Sequence, residues 1–480
     1  MRSYLATCAP PDATGWAHRL AARLPLELLD EAIRAAGCQD KRRRLLPARA
    51  VMVFVLGCCL FAGEGYTEVA RKMAAQLERA AGRPRWRLPG APALTQARAR
   101  LGAGPFEVLF GQLASPLATA ASPGASAFGR TVLLLAADGT MLDVPASREN
   151  IAAFGPPPSG RSQGGYPQVR LVTLAACGTR ALAGAASGPR KGRGSSEQAL
   201  AVQIARQGRL GRGMLVTADR NFSGYKVITA FTATGADVLI RVKSSARLPV
   251  VRALPDGSYL SVLADPQASR RRTVRNGQRR RRGSRLPPDT APVAGTAVRV
   301  IEAVITARPA GGQPSATRYR LITTLTDPGT APASQIAALY AQRWEAETGY
   351  RELKTFLRGP GRVLRSHHPD GVRQEIYALL CAHQLIQATR ASAAATAGHD
   401  PDRISYTVTL RAIRRHLTRT HPHHTPRAAI SEILTQLLPP TRRQRSYPRA
   451  TSTARRRTLR TNHTGHITYT ITITPPPTPP

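Results

Sequence analysis

Acidic residues are scarce in this chain. Its 480 residues hold 28 Asp and Glu against 69 Lys and Arg, a formal net charge of +41. Such a surplus repels itself in a compact state unless a polyanion neutralises it, and nucleic acid is the commonest such partner. Lysine is scarcer still, with six of the 69 basic residues. Codon drift in a GC-rich genome would favour Arg over Lys, but it would not remove acids, so the charge argument stands. Cysteines are few, and Cys8, Cys38, Cys58, Cys59, Cys177 and Cys381 show no C-x-x-C spacing. That excludes a sequence-evident zinc site or disulfide framework and predicts reduced cytoplasmic thiols. Long apolar runs are missing too. The longest, Ala50 to Gly63, has fourteen residues between Arg49 and Glu64, too short for a bilayer that needs about 20. It reads as a buried helix, with no membrane partner. The first twenty residues lack the apolar core of a secretory signal. His416, His421, His423 and His424 lie around prolines in a basic tail, as a solvated loop would have them.

What is present divides the chain by pattern. Residues 1–23 read as a flexible N-terminus. Residues 24–115 carry apolar positions at three- and four-residue spacing, broken by Gly and Pro, and predict a helical domain. Residues 130–242 change to short apolar runs: VLLLAAD, QVRLVTLAAC and ALAGAAS read as successive strands, followed by helix, strand (MLVTAD), helix and strand (ADVLIRV). That order predicts a mixed sheet with helices on its faces. Residues 243–330 hold β-prone pieces around a stretch with nine Arg and no acid in residues 270–285. This reads as a β-rich insertion with a basic loop, a candidate phosphate binder that contains Arg280 and Arg281. It has no interleaved aromatics, which argues against RNA. Helices return over 331–390. Residues 391–480, rich in Thr, Pro and Arg, read as a largely weakly ordered tail. No internal repeat is evident.

The helix expected from Ala333 can be checked by arithmetic. At about 100° per residue, Tyr340, Arg343, Glu347 and Lys354 share one narrow stripe. Leu339, Ala346, Tyr350, Leu353 and Leu357 form an apolar seam beside it, while Glu345 and Glu352 face away. Of these three acids, Glu347 alone is aimed at what lies beside the packed edge. Asp138 ends one apolar strand and Asp219 another, so each carboxylate would emerge at the carboxyl end of a buried strand, where sheet ligands usually bind. Three hard oxygen donors suit Mg²⁺ or Mn²⁺ rather than zinc. Two such ions about 3.5–4 Å apart can support in-line phosphoryl transfer. A basic chain with an acidic centre indicates phosphodiester chemistry.

These residues resemble a known family. Tyr340, Arg343, Glu347 and Lys354 match the Y-(2)-R-(3)-E-(6)-K signature of the insertion-sequence-four family of bacterial DDE transposases, with every spacing kept. DGTMLDVPASRENIAAFG around Asp138 and LVTADRNFSGYKVI around Asp219 look like the family's two aspartate regions. LPARAVMVFVLGCCLF, ALTQARARLG and LRSHHPDGVRQEIYALL are similar as well, and the likeness covers most of residues 24–390. Asn221 departs from it, standing where many members have Gly or Ala, and is expected to crowd the turn after Asp219.

The resemblance implies an α/β fold: an RNase H-like catalytic core with a β-rich insertion and an N-terminal α-helical, DNA-binding domain. The gap of 128 residues from Asp219 to Glu347 (347 − 219) agrees with such an insertion. It implies that Asp138, Asp219 and Glu347 are catalytic and hold two Mg²⁺ ions, with Mn²⁺ as a substitute. Tyr340, Arg343 and Lys354 would grip the transposon-end strand. Arg241 and Lys243, leaving the strand ADVLIRV, would meet DNA backbone, as would Arg280 and Arg281. Asn150 and Glu197 also lie at family-like positions. The expected activity is cutting at terminal inverted repeats and joining to target DNA by a homodimer, in the cytoplasm at the nucleoid. The rivals are a same-fold nuclease without strand transfer and a non-catalytic DNA-binding remnant.

Overall fold

The computed structural model describes residues 26–476, except 43, 83–87, 119–121, 123, 130–131, 158–164, 193, 282–293, 310–312, 419–425 and 440–466. The chain divides into two compact units, Met1–Arg209 with Trp344–Thr441, and Leu210–Arg343 with Arg442–Pro480.

The first unit opens with helices Leu26–Ala35, Ala48–Leu60, Tyr66–Lys72, Ala74–Ala81, Ala91–Leu101 and Gly104–Leu113. Ala48–Leu60 is the expected buried helix: every residue in it except Arg49 is buried. Arg49 reaches out, donating to the Ala80 carbonyl at 2.8 Å and pairing with Asp30 at 2.9 Å. Gly57 lets this helix lie close to Met73, whose Cγ would be 3.0 Å from an added Cβ. Helix Pro369–Thr396 completes the packing, and Phe54, Leu109, Ile376 and Leu380 share one apolar cluster with Leu171 and Leu182 of the strands. Each such side chain contributes about 1.5–3 kcal/mol by leaving water. Strands Val132–Asp143, Gln168–Ala176 and Leu182–Pro189 run antiparallel, with Asp138 opposite Thr173 and Val172 opposite Ala186. Helix Glu197–Ala205 follows them and packs on the last two.

In the second unit, strands Met214–Ala218 and Asp237–Arg241 pair in parallel, joined by a crossover containing helix Tyr225–Thr232. The element order is the one expected of an RNase H-like core, and the chain is a mixed α/β fold with an N-terminal helical region. The insertion is a set of antiparallel strands: Ser315–Thr323 pairs with Asp237–Arg241, Gly295–Pro309 pairs with Ser315–Thr323, and Tyr259–Ala264 follows. Buried Arg299 ties it down, donating to Ser258 Oγ at 2.8 Å and the Ala331 carbonyl at 2.7 Å while pairing with Asp256.

Two expectations need correction. The Arg-rich stretch is not a loop but part of a helix, Pro266–Arg281, as far as it is described. Asp265 caps it by accepting from the Gln267 N–H at 2.9 Å, and Arg is a good helix former when its charges can splay into water. The tail beyond residue 391 is also more ordered than expected. The long helix runs to Thr396, helices Tyr406–Thr418 and Pro426–Leu434 follow, and Ile467–Ile473 pairs antiparallel with Gly295–Pro309, placing Ile471 opposite Ile305. His421, His423 and His424 lie outside the described residues. Cys38, Cys58, Cys59 and Cys381 are free thiols. No described helix is long and apolar enough to cross a membrane.

Candidate active site

Asp138 and Glu347 belong to the first unit, Asp219 to the second. Asp138 lies within strand Val132–Asp143, where its Oδ1 accepts from the Gly139 N–H at 2.9 Å. Glu347 lies on helix Trp344–Arg351, which packs on that strand and the next. The join is made by Tyr350, one turn beyond Glu347. Its hydroxyl donates to the Asp138 carbonyl at 2.5 Å and accepts from the Thr173 N–H and Oγ1, both at 3.0 Å. Burial raises the Tyr350 pKa, and the Asp138 charge raises it further, so the phenol stays protonated and able to donate. Lys354 extends the seam. Its Nζ donates to Thr140 Oγ1 at 3.1 Å and the Met141 carbonyl at 3.0 Å. Burial, and then Arg358, lower its pKa. The helix bearing Glu347 is thus sewn along the strand bearing Asp138. Converting Tyr350 to Phe should cost about 1–3 kcal/mol, the penalty for leaving buried backbone groups unpaired. Urea unfolding measures the loss; an unchanged midpoint would contradict this role.

Glu197 stands beside the same strand. An added Cβ at Gly139 would lie 2.6 Å from Glu197 Oε1, so the bare glycine next to Asp138 admits this carboxylate. Ser196 caps the helix that starts at Glu197 by accepting from the Ala199 N–H at 3.1 Å. Asn150 is wholly buried and structural, its Nδ2 donating to the Pro145 and Ser366 carbonyls at 3.1 and 3.0 Å.

In the second unit, Asp219 follows strand Met214–Ala218 and caps a 3₁₀ turn, Arg220–Phe222, by accepting from the Asn221 N–H at 2.8 Å. Asn221 is exposed. The turn Tyr340–Arg343 packs on the same strand. Tyr340 is buried against Tyr319, with ring centroids 5.8 Å apart. The Arg241 guanidinium lies 4.6 Å from the Tyr319 ring centroid. Burial pushes the Tyr340 hydroxyl up to about 12 although Arg343 and Arg241 oppose it. Lys243 and Arg281 are exposed. Arg280 falls within the Arg-rich helix, but its side chain lies outside the described set.

The single helix expected from Ala333 is instead four pieces: α-helix to Leu339, 3₁₀ over Tyr340–Arg343, α over Trp344–Arg351 and π over Glu352–Leu357. Glu345 and Glu352 therefore do not face away as expected. Both pair with Arg180, at 2.9 Å each, and Glu352 is buried. Arg180 also binds Asp402. Sequence reasoning missed Arg180 because its partners are far along the chain.

The donors fit a hard divalent ion. They are carboxylates, and Mg²⁺ commonly takes one or two of these together with substrate phosphate oxygens and water. Among the described residues, no three His, Cys, Asp or Glu side chains are gathered into a metal-holding group.

Residues 15–111 match the insertion element 4 transposase N-terminal family, and residues 133–385 match the transposase DDE domain family. The chain is 26% identical over 433 residues to transposase InsG for insertion sequence element IS4 of Escherichia coli (strain K12), covering 88% of this chain and 89% of InsG. It is 31% identical over 185 residues to the putative transposase InsZ of the same organism, covering 38% of this chain and 56% of InsZ. A cryo-EM structure of a piggyBac transposase synaptic complex with hairpin DNA overlays with a TM-score of 0.42 at 10% identity, covering 88% of this chain and 85% of that one. DDE domains depend on divalent metal and act on DNA, and this chain belongs to that family as a DDE transposase of the insertion-sequence-four type.

Proposed function

We propose that this DNA transposase cuts at the terminal inverted repeats of an insertion sequence and joins the freed 3′-hydroxyl to target DNA, working as a homodimer on paired ends. Asp138, Asp219 and Glu347 would hold Mg²⁺, which supplies charge stabilisation and an activated attacking oxygen when bound. The observation that carries this reading is the Tyr350 knot, which fixes the helix turn after Glu347 to the backbone of Asp138. Backbones tied together in this way would spare the Glu347 and Asp138 carboxylates a rearrangement when they take up the metal. Arg343 would fork onto a backbone phosphate, while Lys354, Arg241, Lys243, Arg280 and Arg281 would add positive charge along the strand. Buried Tyr340 would set the turn that presents Arg343. The +41 charge offers the wider electrostatic footprint, and a nucleoid location follows from it.

The test uses the full chain, Mg²⁺ and a duplex ending in the inverted repeat of the element that encodes it. Expected are a nick at the repeat's end and a joined product with target plasmid. Nicks without joined product would favour the nuclease reading, and binding without either the non-catalytic remnant.

A further inference from the structure

The first unit contains a cavity of about 470 Å³ lined by Arg98, Arg358, Arg362, Arg365, Glu64 and Glu375 as its charged groups. None of the three acids of the DDE motif lines it. Four guanidiniums face two carboxylates, and Glu64 is already paired with Lys72 at 2.5 Å, so the cavity is electropositive. Two of the arginines are spent on the fold. Arg98 donates to Gln374 Oε1 at 3.0 Å and Ser366 Oγ at 3.2 Å, and Arg365 donates to the Ala62 carbonyl at 2.6 Å. Arg358 is different. It is 7% exposed, and its Nε and Nη1 are buried with no hydrogen-bond partner among the described residues. Leaving charged donors dry and unpaired is costly, so these N–H groups await an acceptor. Arg362 is exposed at the rim, with one nitrogen on the Ala62 carbonyl at 3.1 Å. Val55, Cys58 and Leu379 supply apolar wall.

We infer that this cavity is a binding site for a phosphate carried on a nucleotide. A guanidinium with two free donors matches the fork geometry of phosphate oxygens. The volume falls in the range of small-molecule pockets and exceeds what a bare ion would fill, while the apolar wall suits a sugar or base. The phosphate belongs either to a DNA strand or to a free nucleotide. The strand source rests on the DNA-transposase reading; the free source does not.

Two arms separate them, using full-length protein and the variants Arg358→Gln and Arg362→Gln, the second being exposed and less prone to disturb folding. In calorimetry, dAMP should bind wild type and bind each variant about tenfold more weakly, with deoxyadenosine not binding, if the source is free nucleotide. In a methylphosphonate scan of an end duplex, neutralising one backbone position should weaken wild type about tenfold and leave Arg358→Gln unchanged, if the source is a strand. Either result supports the site. If dAMP binding is absent or equal in all three proteins, and no scanned position distinguishes wild type from the variants, the site does not exist. Loss of strand cleavage alone would strike the proposed function and leave the calorimetric result standing.

Discussion

On the proposed role, Glu347→Gln should cut end nicking by about a thousandfold, since the ion this carboxylate would help to hold supplies several kcal/mol of charge stabilisation and each 1.36 kcal/mol is tenfold in rate. The amide keeps the size and lacks the charge. End-duplex affinity should stay within about twofold when measured in Ca²⁺ or without metal, because phosphate contacts through Arg and Lys dominate binding. The neighbouring acids make the control. Glu345 and Glu352 are already bound to Arg180, so Glu345→Gln should lower stability more than it lowers the rate per folded molecule. Gel assays of nicking, with urea unfolding in parallel, separate the two effects. Equal nicking by wild type and Glu347→Gln would remove Glu347 from the chemistry.

That contrast among three nearby acids also marks how far the sequence could be read. The apolar strands leading to Asp138 and Asp219 were legible because continuous apolar runs have one economical reading, and the Ala50 run was legible as a buried helix for the same reason. The first strand does not end at Asp138 as expected, however: it runs on to Asp143, paired with its neighbour throughout. The wheel placed most of the apolar seam correctly: Ala346, Tyr350, Leu353 and Leu357 are buried, while Leu339 is half-buried. It failed for the acids because a fixed 100° step assumes one uniform helix. A 3₁₀ turn advances by about 120° per residue, so Tyr340–Arg343 shifts the phase before Glu345 is reached, and the π segment shifts it again at Glu352. The partner that draws those acids inward, Arg180, lies 165 residues before Glu345 (345 − 180), beyond any local pattern. In the tail, the alternating run ITYTITI carried a readable strand signal of β-branched residues, which the surrounding Arg, Thr and Pro masked. Its partner strand Gly295–Pro309 is remote in sequence.

Arg180→Met should lower stability by about 3–5 kcal/mol, the usual cost of stripping one partner from a buried ion pair. Arg180 sits in the turn between two strands with a left-handed φ of 58°, a conformation that costs a non-glycine residue energy and persists only where surroundings demand it. Here they do: its guanidinium holds Glu345, Glu352 and Asp402 together. Burial works against its charge, but the carboxylates outweigh burial and raise its pKa. Glu352 answers in kind. Burial pushes its carboxyl up, yet Arg180 and Arg390 bring it below the usual value, and Gln387 Nε2 donates to it at 2.7 Å. Arg180→Lys should recover only part of the loss, since a point charge cannot fork to three acceptors. The same cluster sets an acid limit. Burial lowers His383 from 6.5 to about 4, so between those values the unfolded chain takes up a proton that the folded chain refuses, and stability falls as pH drops from 6.5 towards 4. Glu352 adds its own loss below 4.5, where the unfolded carboxyl protonates first. Urea midpoints across pH 4–8 should therefore decline on the acid side, and His383→Gln should flatten the decline above pH 4.5 while leaving the steeper fall below it. A decline unchanged by that substitution would place the acid sensitivity elsewhere, and a neutral Arg180→Met would mean that the clamp on the Glu347 helix contributes nothing.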